Sequence, residues 1–229
     1  MPRLSLFLLV LFIAPVILFA DKNIPGLKGK LGATAGSGAL DLSALNTRLS
    51  LYGYPSLPEW YFTLGGVYQL SDGSIIAEFE YLRYINNSAV GNGFIASAGG
   101  WCSWLNVGYA LINLPFLQIY PIAGIGGGTL SVKVTEDFSA NGFDNILSQT
   151  NKIIELEKAT YTAFIGGGVD FVIDMGAEAQ VDLLLGARAG YVFDLSGSSG
   201  WSSQGVSLPS GPASGFSGPL IRVFIGISE

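Results

Sequence analysis

The 229-residue chain contains no histidine. That removes Ser-His-Asp and Cys-His catalysis and denies most zinc sites their usual ligand. A single cysteine, Cys102, can form neither an internal disulfide nor a cysteine-based metal cluster. Charge is scarce too: 12% of residues are Asp, Glu, Lys or Arg, against about 25% in an ordinary soluble domain. The 11 basic residues are outnumbered by 17 acidic ones, a formal net charge of −6. No basic surface is available to neutralise phosphates, which argues against a nucleic-acid partner. No residue pattern calls for a metal or a cofactor. What is abundant is apolar surface and glycine: 49% of residues are hydrophobic and 32 are glycine, and the mean hydropathy is +0.47. Such a composition is the reverse of a disordered chain, and the length suits one domain or two small ones.

Residues 1–20 read as a secretory signal peptide, with Arg3 ahead of an apolar run from Leu4 to Phe19 and cleavage expected after Ala20. The competing reading is an uncleaved anchor, for which that run is short. Residues 21–229 then form one domain. They contain no other apolar run long enough for a membrane helix, so the hydropathy needs another source.

That source is alternation. In 177–194, Ala177, Ala179, Val181, Leu183, Leu185, Ala187, Ala189, Tyr191 and Phe193 share one parity, while Glu178, Gln180, Asp182, Arg188 and Asp194 share the other. A period of two over such a length is a long β-strand with unlike faces. The same reading marks strands at 27–34, 61–70, 74–84, 103–112, 117–134, 159–173 and 219–227. In 117–134 it sets Tyr120, Ile122, Leu130, Val132 and Val134 on the apolar row, opposite Ser131 and Lys133. Tight connections at 71–73, 113–115 and 175–176 alternate with long ones at 35–60, 85–102, 135–158 and 195–218. Turns at one rim and loops at the other describe an up-and-down barrel. The expected class is therefore all-β: an eight-stranded antiparallel transmembrane barrel with short helices in its long loops.

A membrane barrel turns its apolar row to lipid and its polar row to the lumen. A soluble, lipocalin-like carrier of an apolar ligand would do the opposite, and it stays as an alternative. Eleven charged strand residues lie opposite the apolar row, and Arg83 does not. The expected lumen network is Lys28, Lys30, Glu78, Glu80, Asp170, Glu178, Asp182, Arg188 and Arg222. Arg188 and Arg222 should bridge the acids, because buried charges must be paired. Glu78 with Glu80 could in principle do acid–base chemistry, but a salt-bridged plug is the better account. Aromatics near strand ends suit a lipid–water interface: Trp60, Tyr61, Tyr81, Trp101, Trp104, Tyr191 and Phe193 towards the loop rim, Tyr68, Tyr120 and Phe171 towards the turn rim. Ordinary strand aromatics are the plainer reading of the same residues.

With its strand count, its loop alternation and the glycine-rich strands Ala123-Gly124-Ile125-Gly126-Gly127-Gly128 and Ile165-Gly166-Gly167-Gly168, the chain resembles the small eight-stranded outer-membrane barrels of the OmpA/OmpX type. The resemblance implies a bacterial outer-membrane location, contact with outer-membrane lipid, and insertion by the barrel-assembly machinery. It also implies a non-enzymatic role, structural or at the cell surface, through the long loops. A narrow pore or a lateral path for hydrophobic solutes is the alternative. Members commonly end on an aromatic residue, whereas this chain ends Ile227-Ser228-Glu229. The lipid A acyl-modifying members rely on a histidine that is missing here.

In the first loop, Leu42, Leu45, Leu49 and Tyr52 recur at helical spacing between Asp41, a capping residue, and Gly53 and Pro55, which end a helix. An edge strand is the rival reading. A second helix is expected over 145–158. The Ser- and Gly-rich segment 195–218 reads as mobile and solvated, with Trp201 inside it as an oddity that could meet a surface partner.

Overall fold

The computed structural model describes residues 27–137, 153–176, 179 and 181–228. The signal segment 1–20, Glu178 and the first half of the loop-three helix lie outside the described residues. Strands run β1 (Leu27–Ala39), β2 (Trp60–Asp72), β3 (Ile75–Gly91), β4 (Phe94–Tyr109), β5 (Ile112–Leu114), β6 (Leu117–Glu136), β7 (Ile153–Ile173), β8 (Asp182–Asp194), β9 (Trp201–Ser203), β10 (Val206–Ser207) and β11 (Gly218–Ser228). One helix, α1 (Ser43–Leu51), occupies the first loop.

Eight of these strands close a ring. β1 pairs with β2, β2 with β3, β3 with β4, β4 with β6, β6 with β7, β7 with β8, β8 with β11, and β11 returns to β1, every pair antiparallel. The seam joins the first and last strands from Lys30↔Ser228 to Gly38↔Leu220. Closure leaves this ring no open edge, so each strand of the wall finds its hydrogen-bond partners inside the sheet. The expected all-β, up-and-down barrel is the observed architecture.

The two faces differ as a period of two demands. Outward, β2 shows Phe62 and Leu64, β4 Leu105 and Val107, β7 Ile165 and Phe171, and β11 Ile221, Val223, Ile225 and Ile227, all well exposed. Inward lie Lys30, Gln69, Glu78, Glu80, Asn106, Asp170, Arg188 and Arg222, all buried. Eight strands enclose a space that side chains can fill, and glycines set how large those side chains can be. A Cβ on Gly186 would land on the Phe224 ring, and one on Gly168 would meet the Tyr120 ring.

Several expectations about connections need correction. The stretch 85–102 is not a loop: β3 and β4 continue past the barrel body and meet at a two-residue turn, Asn92-Gly93, both with positive φ. Asn-Gly is the strongest short hairpin signal, and the long-loop reading passed over it. The strand expected from 177 begins at Asp182 instead, so its connection from Ile173 is longer than a tight turn. Residues 153–158, assigned to a loop helix, are the start of β7. The segment 195–217 is folded rather than solvated: β9 pairs with β7 through Glu157↔Ser202 and Lys158↔Trp201, and Trp201 and Phe216 are buried. The first-loop helix forms where its leucine spacing placed it, with the Asp41 carboxylate accepting from the Ser43 backbone N–H at 3.2 Å. Leu42, Leu45 and Leu49 are buried while Tyr52 is exposed.

On β6 the two rows face opposite to the expectation. Tyr120, Ile122, Leu130, Val132 and Val134 face the interior, and Lys133 faces out, paired with Glu155 at 3.1 Å. Tyr120 faces in because it shares the parity of Gln118, a buried lumen residue.

The glycine–ring fit yields a test. Gly186→Val should lower unfolding stability by about 1–3 kcal/mol through overpacking. Phe224→Ala in the same chain should return part of that loss, because it vacates the space the new methyls need. Urea unfolding midpoints of the refolded protein check both.

Candidate functional site

The lumen is built in two layers. The layer on the turn side is charged. Lys30 Nζ donates to Asp170 Oδ2 at 2.8 Å, and Tyr120 donates its hydroxyl to the other Asp170 oxygen at 2.9 Å. Lys30 also donates to Gln118, whose amide donates to Asn113 Oδ1 at 2.8 Å. Arg188 pairs with Glu78 and lies 3.8 Å from Asp170; it also donates to Gln69 Oε1 at 3.2 Å. Asn106 donates to the second Glu78 oxygen at 2.9 Å. Arg222 grips both oxygens of Glu80 through Nε and Nη2. The guanidinium carbon of Arg188 sits 4.1 Å from the centre of the Phe224 ring, and that of Arg222 sits 4.6 Å from the centre of the Phe164 ring. Three positive side chains thus meet three negative ones, with aromatic faces filling the flanks.

This balance has a physical cause. An ion taken out of water loses several kcal/mol of solvation, and only close, well-bonded partners return it. A fork such as Arg222 suits a carboxylate with two bonds at once. Each strand contributes by parity alone. Glu78 and Glu80 are neighbours on one face of β3, and Arg188 and Arg222 are register partners across β8 and β11. The two guanidinium groups diverge to different acids, Glu78 and Glu80.

The layer on the loop side is apolar. Leu82, Tyr84, Cys102, Trp104, Leu130, Phe164, Val192, Phe216 and Leu220 are buried together. Above them, α1 lays Leu45 and Leu49 over the mouth beside Leu57, Val132, Val134 and Trp201. One buried ion pair lies between cap and wall. Lys158 Nζ donates to Asp194 at 2.9 Å and to the Ser214 carbonyl at 2.7 Å. The Ser214 hydroxyl accepts from the Leu45 N–H at 3.0 Å. Asp41 and Gly215 exchange backbone bonds at 3.0 and 2.9 Å, and the Trp201 indole donates to the Pro212 carbonyl at 2.9 Å.

The structure thus gathers Lys30, Glu78, Glu80, Asp170, Arg188 and Arg222 of the expected network. Two expected members stand apart. Lys28 has the lumen parity but lies at the strand end and is exposed. Asp182 caps the turn rim, accepting from the Met175 N–H at 3.3 Å. Glu178 lies outside the described residues. Gln69, Asn106, Gln118 and the Lys158–Asp194 pair complete the interior. Gln69, Asn106, Gln118 and Lys158 are not in the expected network; Gln69, Asn106 and Lys158 share their strands' polar parity, whereas Gln118 lies on the row of β6 expected to face outward. Lys158 lies in β7, within a stretch expected to be loop.

Of the expected interface aromatics, Trp60, Tyr68, Tyr81, Trp101, Phe171, Tyr191 and Phe193 lie on the outer face. Tyr81 and Trp101 stack there at 6.2 Å. Tyr61, Trp104 and Tyr120 do not: they are buried in the lumen. Tyr61 follows Trp60 directly, and adjacent strand residues point to opposite faces. Among the described residues no group of three or more His, Cys, Asp or Glu is placed to hold a metal ion.

Comparison with solved structures finds the N-terminal β-barrel domain of Pseudomonas aeruginosa OprF, at 11% identity, a TM-score of 0.39, and coverage of 88% of this chain and 97% of that one. It also finds Neisserial surface protein A (NspA), at 16% identity and a TM-score of 0.37, covering 88% of this chain and 97% of that one. No protein-family model matches the chain, and no curated protein matches it in sequence.

The pairing of Arg222 with Glu80 makes a quantitative prediction. Glu80→Leu should cost about 3–5 kcal/mol, because it strands a buried guanidinium. Glu80→Leu with Arg222→Leu should recover most of that loss. A double-mutant cycle on urea unfolding midpoints measures the coupling, and additive losses would show that the pair acts as two independent side chains.

Proposed function

We propose that the chain is a closed, non-enzymatic barrel of the bacterial outer membrane, with its loop rim facing outward from the cell. Its work lies in the folded cap and not in a path through the wall. The observation that carries this reading is the contrast between the faces. From Ile75 to Tyr81 on β3, and from Leu183 to Phe193 on β8, the outer row carries no charge. Among the described strand residues, outward charges are confined to Asp72 at the turn rim and to the level of Arg83 and beyond on the loop side, where Lys133, Glu155 and Glu157 lie. A soluble protein rarely leaves so continuous an apolar surface in water. A bilayer supports an outer band of this kind, spanned by about 9–11 tilted residues per strand.

The filled lumen supports the closed state. Neutralised charges below and packed rings above leave the interior to side chains, as an eight-stranded barrel allows. No reacting pair is free in it, since Glu78 and Glu80 are each engaged by an arginine.

The full precursor, expressed in a diderm host, should appear in the outer-membrane fraction and migrate differently on denaturing gels before and after boiling. The purified barrel should give no steady conductance in a planar bilayer. A soluble periplasmic band without a heat shift would overturn the membrane assignment, and steady single-channel steps would overturn the closed lumen.

A further inference from the structure

Beyond the closed barrel, one cavity in the cap has no assigned occupant. It measures about 330 Å³ and lies between α1, the projecting ends of β6 and β7, and residues 208–212. That is within the ~300–1,000 Å³ of small-molecule sites. Its wall is made by Leu45, Leu49, Val134, Ile154, Leu156 and Trp201. The indole N–H of Trp201 is already given to the Pro212 carbonyl, so these six residues offer an occupant apolar contact, with Tyr52 and Tyr54 completing the lining.

One charge stands at the edge. Arg48, three residues after Leu45 on α1 and so less than one turn from it, is exposed and lines the cavity. Its Nη1 donates to the Ser210 carbonyl at 3.0 Å, and among the described residues no carboxylate pairs with it. A guanidinium carries five N–H donors in a planar fork. That bond orients the fork and leaves most of it for an anion.

We propose that this cavity binds a single-chain amphiphile with an anionic head, the alkyl chain against Leu49, Val134, Leu156 and Trp201 and the head on Arg48. A neutral head would take a single, weaker hydrogen bond from the fork and a cationic head would be repelled by it, and a second chain would exceed the space. The amphiphile comes either from the medium or from the surrounding membrane, and the chemistry recognised is the same.

The test uses the full mature barrel in nanodiscs of zwitterionic lipid, titrated calorimetrically with dodecanoate, dodecanol and dodecyltrimethylammonium at mildly alkaline pH. Empty nanodiscs correct for partition. Dodecanoate should bind saturably with one site, at least tenfold more tightly than the other two. Arg48→Gln should weaken dodecanoate about tenfold and leave dodecanol unchanged, as loss of one charged hydrogen-bonding group requires. Leu156→Trp, which fills the cavity, should abolish binding, with the heat shift on gels reporting that the barrel still folds. Native mass spectrometry of barrel extracted from host outer membranes assigns the source: a co-purified single-chain anionic amphiphile displaced by dodecanoate places it in the membrane, and an empty site places it in the medium. Equal binding of dodecanoate and dodecanol, indifference to Arg48→Gln, or no saturable binding above empty discs would overturn the proposal.

Discussion

Alternate side chains of eight strands have one small enclosed volume to enter, and the rest of the molecule follows from how they share it. Large rings can lie along the wall only where the positions beside them are bare. Glycines of β7 and β8 supply that bareness: Tyr120 lies over Gly168, Phe164 over Gly166 and Gly190, and Phe224 over Gly186, while Arg188, Arg222 and Trp104 fill the interior beside them. Once arginines are inside, their partners are fixed by cost. An unpaired buried charge is expensive, and a paired one roughly breaks even. The four buried basic residues, Lys30, Lys158, Arg188 and Arg222, therefore each reach an acid among Asp170, Asp194, Glu78 and Glu80. The network does not make the barrel stable so much as make its charged filling tolerable, while the sheet and its apolar contacts carry the rest.

Where the environment changes, the strand pattern changes with it. On β6 the outer row runs Ile119, Ala123 and Ile125, then becomes Ser131 and Lys133. On β7, paired in register, Tyr161 and Ile165 give way to Glu157 and Glu155, with Thr129↔Ala159 at the transition. Past that level the inner row becomes apolar: Leu130, Val132 and Val134 face Ile154 and Leu156. Polar-in and apolar-out thus turn into the reverse within one hairpin. Under the membrane reading this transition marks the upper boundary of the bilayer, because above it water is outside and the cap is inside.

That reversal also explains what could be read from residues alone and what could not. Strand number, antiparallel order, the outer rows of β7, β8 and β11 and the members of the charged layer were legible, because long alternation leaves few alternatives. The α1 helix was legible from Leu42, Leu45, Leu49 and the ends supplied by Asp41 and Gly53. The row of β6 was not. Its apolar residues are concentrated above the boundary, where they face inward, so choosing the richer row as the lipid face inverted the strand. Tyr61 and Trp60 could not both be interface residues, and strict use of the period would have sent one inside. Asn92-Gly93 announced a hairpin that expected loop lengths obscured. The folding of 195–217 was beyond composition, since Ser and Gly mark flexibility while Trp201 and Phe216 decide the packing through distant partners.

The cap and the wall differ in how they hold together. Within the ring each wall strand is bonded to a neighbour on both sides, and its opening would break the ring. The cap rests on a few ties: Lys158 to Ser214, Ser214 to Leu45, Asp41 to Gly215, and Asn46 to Leu57 through two bonds of 3.0 and 2.8 Å. Its leucines are buried only while α1, the β6–β7 projection and the 208–217 segment stay together. The free energy needed to separate these pieces is accordingly smaller than that needed to open the barrel. Anything bound among them stabilises the assembled form by mass action. A molecule seated between α1 and Trp201 therefore acts on the cap first, and the barrel serves as the rigid frame against which that change is made.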